Sequence, residues 1–419
     1  MAQDPTRETN RRHFLQAGAG VLATASALQH TPGLSAQEQE EVRAQQAPTP
    51  LPRRTLGKTG VEVTLLDQGA IRGPSYDRLL RIAYASGIRT FDTAKAYGTE
   101  PNLKRWFEQA PEVRKDIFLI TKDMPRTPSE MLKMVDERLE ALGTDYLDLF
   151  FIHGLGDAHS LDDAINMVTS QEFKETAEAI RKSGKARFLG FSSHHKDRAT
   201  IIQKAAEANY VDAIMLQYTP WLDKDSPLNK ALDACHKAGI GLITMKQIAG
   251  HQFGDSPRGD ILEDVKRRVP MLEERNLTPF QGLLHAIWTD ERISCSCVSM
   301  RNTDQIRENV DAARRYEPVE AAAIGQLKEA ALAHGPTLCA DCDGRCSVAA
   351  GTKAALGDLT RFLTYHDHLG DRSEARRQYA RLAAEARDWT GADLQAARDA
   401  CPNHLDFARL LPRVDRHLA

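Results

Sequence analysis

Short apolar runs alternate with amphipathic stretches through the middle of the chain. The runs are four to six residues long and mostly lack alternating polar positions, which is typical of strands covered on both faces. The stretches between them space apolar residues three and four positions apart, as at Met131, Val135 and Leu139, and Gly143 follows as a helix stop signal. The eight runs are residues 63–66, 90–93, 117–121, 147–152, 187–192, 213–217, 241–245 and 295–299.

This alternation predicts an α/β protein in which helical crossovers join parallel strands. Eight such units closing on themselves form a (β/α)8 TIM barrel, which we expect over residues 53–315. A doubly wound open sheet is the alternative, but residues 68–73, after the first run, lack the G-x-G-x-x-G spacing typical of that fold. We therefore predict the barrel, followed by a mainly helical extension over residues 316–419.

The first 36 residues have the pattern of an export signal. Arg11 and Arg12 precede an apolar pair, and residues 17–28 are small or apolar without a charge, which resembles a twin-arginine signal. A chance Arg-Arg pair before a helix is the alternative. Residues 37–52 are rich in Gln, Glu and Pro and predict a linker. The signal implies a periplasmic or other extracytoplasmic location.

Composition excludes several classes of protein. Apolar residues make up 42% of the chain and charged residues 27%, which is a globular composition and excludes disordered and multi-pass membrane proteins. The uncharged stretch of the signal is too short for a permanent membrane span. With a formal charge of −3, the chain has no global field that attracts a nucleic acid, and we expect no nucleic-acid partner.

Polar side chains follow three successive predicted strands. Asp92 ends the second run, with Tyr97 five residues later; Lys122 ends the third run and His153 the fourth. Each alone has a structural explanation, such as a helix cap or a solvated loop charge. Because catalytic groups of a barrel lie where its strands end, the four together predict a proton-transfer site. An ammonium close to a phenol lowers the pKa of the phenol, so we expect Lys122 to tune Tyr97, Asp92 to hold Lys122, and His153 to orient a carbonyl oxygen.

These segments resemble the aldo/keto reductase family. The resemblance is carried by residues 92–98, by Ile120-Thr121-Lys122 and by residues 145–153, which occur in the family's order. It implies that Tyr97 is the proton donor to a carbonyl group and that the cofactor is NADP(H) or NAD(H). The resemblance also implies that Gln217 binds the nicotinamide, that Tyr218 stacks on it, and that Arg301 meets a 2′-phosphate.

The implied cofactor-binding residues lie in three segments of the chain. They are Ser192, Ser193, Gln217, Tyr218, Ser299, Arg301, Gln305 and Asn309. Two positions depart from the family pattern: Ser193 stands where Asn is common, and Val298-Ser299 stands where a proline-containing pair is common.

A cysteine cluster lies beyond the predicted barrel. Cys339, Cys342 and Cys346 follow a C-x2-C-x3-C pattern, and Cys401 precedes a proline, which resembles part of a ferredoxin-like appendage. Four such thiolates predict a [4Fe-4S] cluster. Zinc, with His366, His368 or His404 nearby, and a decayed site whose cysteines form disulfides are the alternatives.

The sequence as a whole predicts an NAD(P)H-dependent carbonyl reductase or alcohol oxidoreductase with a small-molecule substrate. The alternative is an exported iron-sulfur electron-transfer protein in which the barrel is a docking scaffold for a redox partner protein.

Overall fold

A computed structural model gives the architecture of the chain. The residues it describes are 50–71, 73–156, 159–195, 197–247, 259–333, 339, 344–367, 372–401 and 403–419. The predicted signal, most of the predicted linker, Cys342 and His368 lie outside the described residues.

Eight parallel strands close into a barrel, as the sequence predicts. Neighbouring strands pair in chain order, and the last barrel strand pairs with both the seventh and the first to close the ring. The barrel strands are β3 (Leu66–Gln68), β4 (Thr90–Asp92), β5 (Phe118–Asp123), β6 (Leu147–Ile152), β7 (Ala186–Ser193), β8 (Ala213–Gln217), β9 (Gly241–Met245) and β10 (Ile293–Val298).

Amphipathic helices surround the barrel and follow its strands. They bury the apolar face that their sequence spacing predicts; for example, the helix Glu130–Leu142 buries Met131, Val135 and Leu142. The helices of this part of the chain are Tyr76–Ala85, Glu100–Gln109, Pro111–Asp116, Glu130–Leu142, Leu161–Thr169, Gln171–Lys182, Arg198–Ala208, Pro227–Lys237, Gly259–Arg268, Pro270–Glu274, Pro279–Trp288, Thr303–Arg314 and Ala321–Ala333.

The position predicted for the first strand is wrong. Residues 63–66 straddle two elements: an antiparallel hairpin of β1 (Arg53–Thr55) and β2 (Glu62–Thr64), and the barrel strand β3, which begins only at Leu66. The hairpin carries Leu56 and Val63 into the apolar cluster inside the barrel. Because strand and hairpin both have buried apolar residues, the sequence pattern does not separate them.

A second apolar core lies within the helical extension. It gathers buried residues that include Leu359, Phe362, Leu410, Cys346 and Cys401. Within the described part of the chain, no helix is both long and apolar enough to cross a membrane. The helices of the extension are Arg345–Ala349, Leu356–Asp367, Arg372–Arg381, Ala384–Arg387, Leu394–Ala400 and Phe407–Leu418.

Two glycines give a matched test of packing in this fold. Gly190 lies in β7, where an added Cβ would stand 1.9 Å from the carbonyl oxygen of Ala213 on the neighbouring strand. Gly325 lies inside the helix Ala321–Ala333, where an added Cβ meets nothing within 4 Å.

We expect Gly190→Ala to lower the free energy of unfolding by about 1–3 kcal/mol, because backbone atoms must move to admit the methyl group. Gly325→Ala should raise it by about 0.5–1 kcal/mol through helix propensity. Denaturant unfolding measures both values, and an unchanged midpoint for Gly190→Ala would contradict the described strand register.

Candidate active site

Four polar side chains meet where the barrel strands end. Asp92 is the last residue of β4, Lys122 lies near the end of β5, and His153 directly follows β6. Tyr97 ends a short 3-10 helix, Lys95–Tyr97, that follows β4. The structure therefore brings together all four residues that the sequence predicts.

A buried ion pair between Asp92 and Lys122 joins β4 to β5. The Lys122 ammonium donates to Oδ1 of Asp92 at 2.5 Å, to its Oδ2, and to the carbonyl oxygen of Thr93 at 3.0 Å. Both side chains are at least 95% buried. Burial opposes the charge on Lys122, but the Asp92 carboxylate outweighs that effect and raises the pKa of Lys122.

The phenol and the imidazole form the second contact of the group. The Tyr97 hydroxyl lies 3.3 Å from Nε2 of His153, and the two rings meet edge to face with centroids 5.3 Å apart. The Lys122 ammonium lies 5.3 Å from the centre of the Tyr97 ring. Tyr97 and His153 are half-buried, so this contact faces the opening of the barrel.

The predicted lowering of the Tyr97 pKa is not observed. Burial raises the pKa of Tyr97, and the Lys122 charge opposes this rise without overcoming it. The physical reason is that Asp92 neutralises Lys122 at close range, and its negative charge itself raises the pKa of the phenol. Tyr97 is thus a protonated phenol at neutral pH, as a proton donor requires.

His153 is held in its neutral form. Burial lowers its pKa well below the usual range, and the positive charges of Lys122, Lys246 and Arg381 lower the pKa further. A neutral imidazole either donates or accepts one hydrogen bond through Nε2, and its Nε2–H tautomer can donate to a phenol oxygen or, in its place, to a carbonyl oxygen.

Asp67 is a residue of the site that the sequence analysis missed. It lies in β3 with no exposed surface, and its carboxyl group, that of Asp92 and the Cys297 sulfur lie within 4.8 Å of one another. Burial and the Asp92 charge raise its pKa well above the usual range, which favours its uncharged form. The sequence feature that could have identified Asp67 is a carboxylate within an apolar run, because a buried carboxylate is rare.

Asp67, Asp92 and Cys297 have the spacing of metal ligands, and within the described part of the chain no other group of residues does. A cation there would compete with Lys122, which already occupies both oxygens of Asp92. The arrangement is therefore better suited to holding a proton than a metal ion.

The predicted nicotinamide-binding residues divide into two groups. Ser192 accepts from the Gly154 amide at 3.1 Å and Ser193 donates to the Leu155 carbonyl at 2.7 Å, so both hydroxyls hold the loop that follows β6. Gln217 lies at the end of β8 and donates to the carbonyl oxygen of Cys339 at 2.8 Å. The extension thus contacts the amide predicted to bind the cofactor.

The structure contradicts the predicted stacking role of Tyr218. Its side chain is buried in the core between barrel and helices, and its hydroxyl donates to Asp290 at 2.7 Å. The cause is strand alternation: Gln217 faces the barrel opening, so the next residue points outward. Met245, half-buried at the end of β9, lies inside the barrel instead.

The predicted adenosine-binding residues lie around one helix N-terminus. Asn302 caps the helix Thr303–Arg314 by accepting from the Gln305 amide, and the Gln305 side chain accepts from the Arg301 amide at 2.7 Å. The Arg301 side chain is exposed, as is Ser299, whereas Asn309 is buried within the helix. An exposed arginine beside a helix N-terminus suits a phosphate.

The described cysteines of the extension converge only in part. Cys346 and Cys401 are buried free thiols in one apolar cluster. Burial, and after it the nearby Cys401, raises the pKa of Cys346 to about 11. The carbonyl oxygen of Cys339 accepts the hydrogen bond from Gln217, and the Cys339 sulfur lies near Gly357. Within the residues described here, the three sulfurs do not form a group with metal-ligand spacing.

Comparison with known proteins agrees with this geometry. The sequence model of the Aldo/keto reductase family matches residues 64–330. L-galactose dehydrogenase from Arabidopsis thaliana is 25% identical over 294 residues, which are 64% of this chain and 90% of that protein. L-glyceraldehyde 3-phosphate reductase from Escherichia coli O157:H7 is 26% identical over 318 residues, 62% of this chain and 86% of that protein.

A solved structure shares the fold. The apo form of an aldo-keto reductase from Bacillus halodurans aligns with a TM-score of 0.53 and 21% identity, covering 67% of this chain and 96% of that one. The family match spans well over half of the chain and contains all four converging residues. The chain therefore belongs to the aldo/keto reductase family and is an NAD(P)-dependent oxidoreductase that acts on carbonyl groups.

Proposed function

We propose that this protein reduces a small aldehyde or ketone, or oxidises the corresponding alcohol, with Tyr97 as the proton donor. The observation that carries the proposal is the convergence of Tyr97, Lys122, Asp92 and His153 from three successive strand ends. A nicotinamide, when bound, supplies the hydride to the carbonyl carbon. The Tyr97 hydroxyl gives its proton to the carbonyl oxygen. Solvent then reprotonates the Tyr97 phenolate.

The roles of the other three residues follow from their charges. Neutral His153 lies within reach of the Tyr97 hydroxyl and orients the carbonyl oxygen beside it. Lys122 stabilises the phenolate that remains after proton transfer, since its ammonium lies 5.3 Å from the centre of the ring. Asp92 fixes Lys122 through two hydrogen bonds. The raised pKa of Asp67 favours the form that adds no second negative charge beside this pair.

We propose NADPH as the preferred cofactor. An exposed Arg301 at the start of the helix Thr303–Arg314 supports this choice, because guanidinium binds phosphate through two parallel hydrogen bonds. The names of two relatives give L-galactose and L-glyceraldehyde 3-phosphate as the compounds on which those proteins act. Small hydroxylated aldehydes are therefore the first substrates to assay.

We also propose that the thiols of the extension bind a metal cluster, with Cys339, Cys342, Cys346 and Cys401 as ligands. The C-x2-C-x3-C spacing and the nearness of Cys346 to Cys401 support it. Such a [4Fe-4S] cluster would supply one-electron redox chemistry and would call for a redox partner protein. Export through a twin-arginine route remains a prediction, since residues 1–36 lie outside the described part of the chain.

The first test removes the Tyr97 hydroxyl and keeps its ring. With NADPH and glyceraldehyde, Tyr97→Phe should lower kcat by about 10²-fold to 10⁴-fold, because proton transfer is lost. NADPH affinity, followed by fluorescence titration, should stay within about twofold. Tyr84→Phe is the matched control, since its hydroxyl binds Asp116 on the outside of the barrel. Turnover by Tyr97→Phe at the parent rate would refute the assignment.

The second test concerns the 2′-phosphate of the cofactor. Arg301→Ala should weaken NADPH binding by about 10-fold to 100-fold, the equivalent of one charge-assisted contact, and leave NADH binding unchanged. Arg307→Ala is the control, because Arg307 is an exposed residue of the same helix that pairs with Asp304. Equal losses for NADPH and NADH would show that Arg301 contacts another part of the cofactor.

The third test measures the metal content of the whole protein. After purification without oxygen, we expect iron, acid-labile sulfide and a visible absorption that dithionite bleaches. Cys346→Ala should lose the absorption, while Cys235→Ala, a core thiol of the helix Pro227–Lys237, should keep it. Zinc alone, or protein without metal, would reject the cluster and leave the barrel as the seat of the chemistry.

A further inference from the structure

The helical extension contacts the carboxyl ends of two neighbouring barrel strands. Gln217, the last residue of β8, donates to the carbonyl oxygen of Cys339 at 2.8 Å. Lys246, which directly follows β9, donates to the hydroxyl of Tyr365. Cys339 and Tyr365 both lie beyond the match to the family, which ends at residue 330. A part of the chain outside the family match therefore reaches the end of the barrel where the proposed chemistry takes place.

Another contact of the extension lies on the opposite side of the ring. A guanidinium nitrogen of Arg381 is 4.0 Å from the sulfur of Met124, the residue that follows β5. β5 is the third strand of the barrel and β9 is the seventh, and in a closed ring of eight strands these two are opposite each other. An extension that reaches both strand ends has to cross the opening between them. The extension thus forms a cover over the opening at which Tyr97 and His153 meet.

The cover crosses the proposed path of the cofactor. The two proposed ends of that path are Gln217, at the end of β8, and Arg301, beyond the end of β10. β9 lies between these two strands, so a dinucleotide that joins both positions passes the carboxyl end of β9. At that end, Tyr365 of the cover accepts its hydrogen bond from Lys246. The contacts of the cover at β8 and β9 therefore lie along the length of the cofactor.

The contacts that attach the cover to the barrel are polar. The apolar cluster of the extension, which includes Phe362 and Leu410, is separate from the clusters of the barrel. Arg345 adds an ion pair at 3.4 Å with Asp223, in the loop after β8. Separate cores joined by polar contacts can move apart without exposing either core. The cover can therefore open as a unit, and each opening breaks these hydrogen bonds and this ion pair.

We propose that the cover retains the nicotinamide cofactor, so that the cofactor leaves the barrel more slowly than the reaction turns over. The proposal rests on the proposed carbonyl reduction, because it concerns the cofactor of that same site. A retained cofactor has to be recycled in place. One alcohol substrate loses a hydride to the bound nicotinamide and a proton to the Tyr97 phenolate, and it becomes a carbonyl compound. A second, carbonyl substrate then takes up this hydride and this proton, which restores the oxidised cofactor.

The first measurement is the rate at which the whole protein releases NADPH. Protein loaded with NADPH is mixed with excess NADP+ in a stopped-flow fluorimeter, where the loss of energy transfer from tryptophan to the reduced nicotinamide follows release. We expect release to be at least about 10-fold slower than the oxidation of bound NADPH by glyceraldehyde. Release as fast as this oxidation would overturn the proposal.

The second measurement follows the recycling of the cofactor. Protein loaded with NADP+ is freed of unbound nucleotide by gel filtration. Deuterium should then pass from benzyl alcohol deuterated at its CH2 carbon to glyceraldehyde, which gives labelled glycerol, without added nucleotide. Transfer of deuterium only after nucleotide is added would contradict a retained cofactor.

Two variants loosen the cover on the side of the cofactor. Tyr365→Phe removes the single oxygen that contacts the barrel, and it should speed NADPH release by about 10-fold or more, the equivalent of one hydrogen bond to a charged group. Arg345→Met removes the ion pair with Asp223 and should speed release by about twofold to fivefold. Arg413→Met is the matched control and should leave release unchanged, because Arg413 pairs with Asp367 inside the extension.

The association rate distinguishes a cover from a direct ligand of the cofactor. A cover that opens more often admits NADPH faster as well as releasing it faster, so the Kd of both variants should stay within about threefold of the parent value. Faster release with unchanged association would instead make the substituted residue a ligand of the cofactor, and it would reject the cover.

The same measurements separate this proposal from the proposed function. Oxidation of bound NADPH by glyceraldehyde together with fast release supports the reductase and rejects the cover. Slow release that Tyr365→Phe and Arg345→Met accelerate, with association accelerated equally, supports the cover even if no aldehyde is reduced.

Discussion

The ion pair between Lys122 and Asp92 determines the chemistry of the barrel opening. A single ammonium, almost without exposed surface, lies beside two buried carboxyl groups and one phenol. Burial raises the pKa of both Asp67 and Tyr97, and the one ammonium, already paired with Asp92, does not offset this rise, so the uncharged forms of both groups are favoured. Loss of either partner of such a buried pair leaves an uncompensated charge and costs about 3–5 kcal/mol. The ion pair is thus a structural element as well as a source of reactivity.

The sequence predicts those parts of the structure that depend on periodicity or on chain order. The eight-stranded barrel follows from the alternation of apolar runs and amphipathic stretches, and the four converging residues follow from their places at strand ends. Tyr218 was misplaced because family position alone does not say which face of a strand a residue occupies. The first strand was displaced because the hairpin beside it is equally apolar.

Other features depend on distances that a sequence does not contain. Burial raises the pKa of Tyr97, and only three-dimensional contact reveals how far the Asp92 carboxylate cancels the Lys122 ammonium that opposes this rise. Asp67 and Lys246 each belong to clusters whose members come from strands far apart in the chain. The contact between Gln217 and Cys339 likewise joins residues 122 positions apart.

The shared core of the extension links two chemistries that are separate in the sequence. Cys346, Cys401 and Tyr365 belong to one apolar cluster, and the helix that bears Tyr365 is packed within it. Closely packed interiors transmit displacement instead of absorbing it. A ligand or an oxidation at the two thiols that shifts this helix would therefore also move Tyr365, which contacts Lys246 at the barrel opening. By thermodynamic reciprocity, a ligand at the barrel opening that moves Tyr365 would change the affinity of the thiols for their own ligand by the same factor.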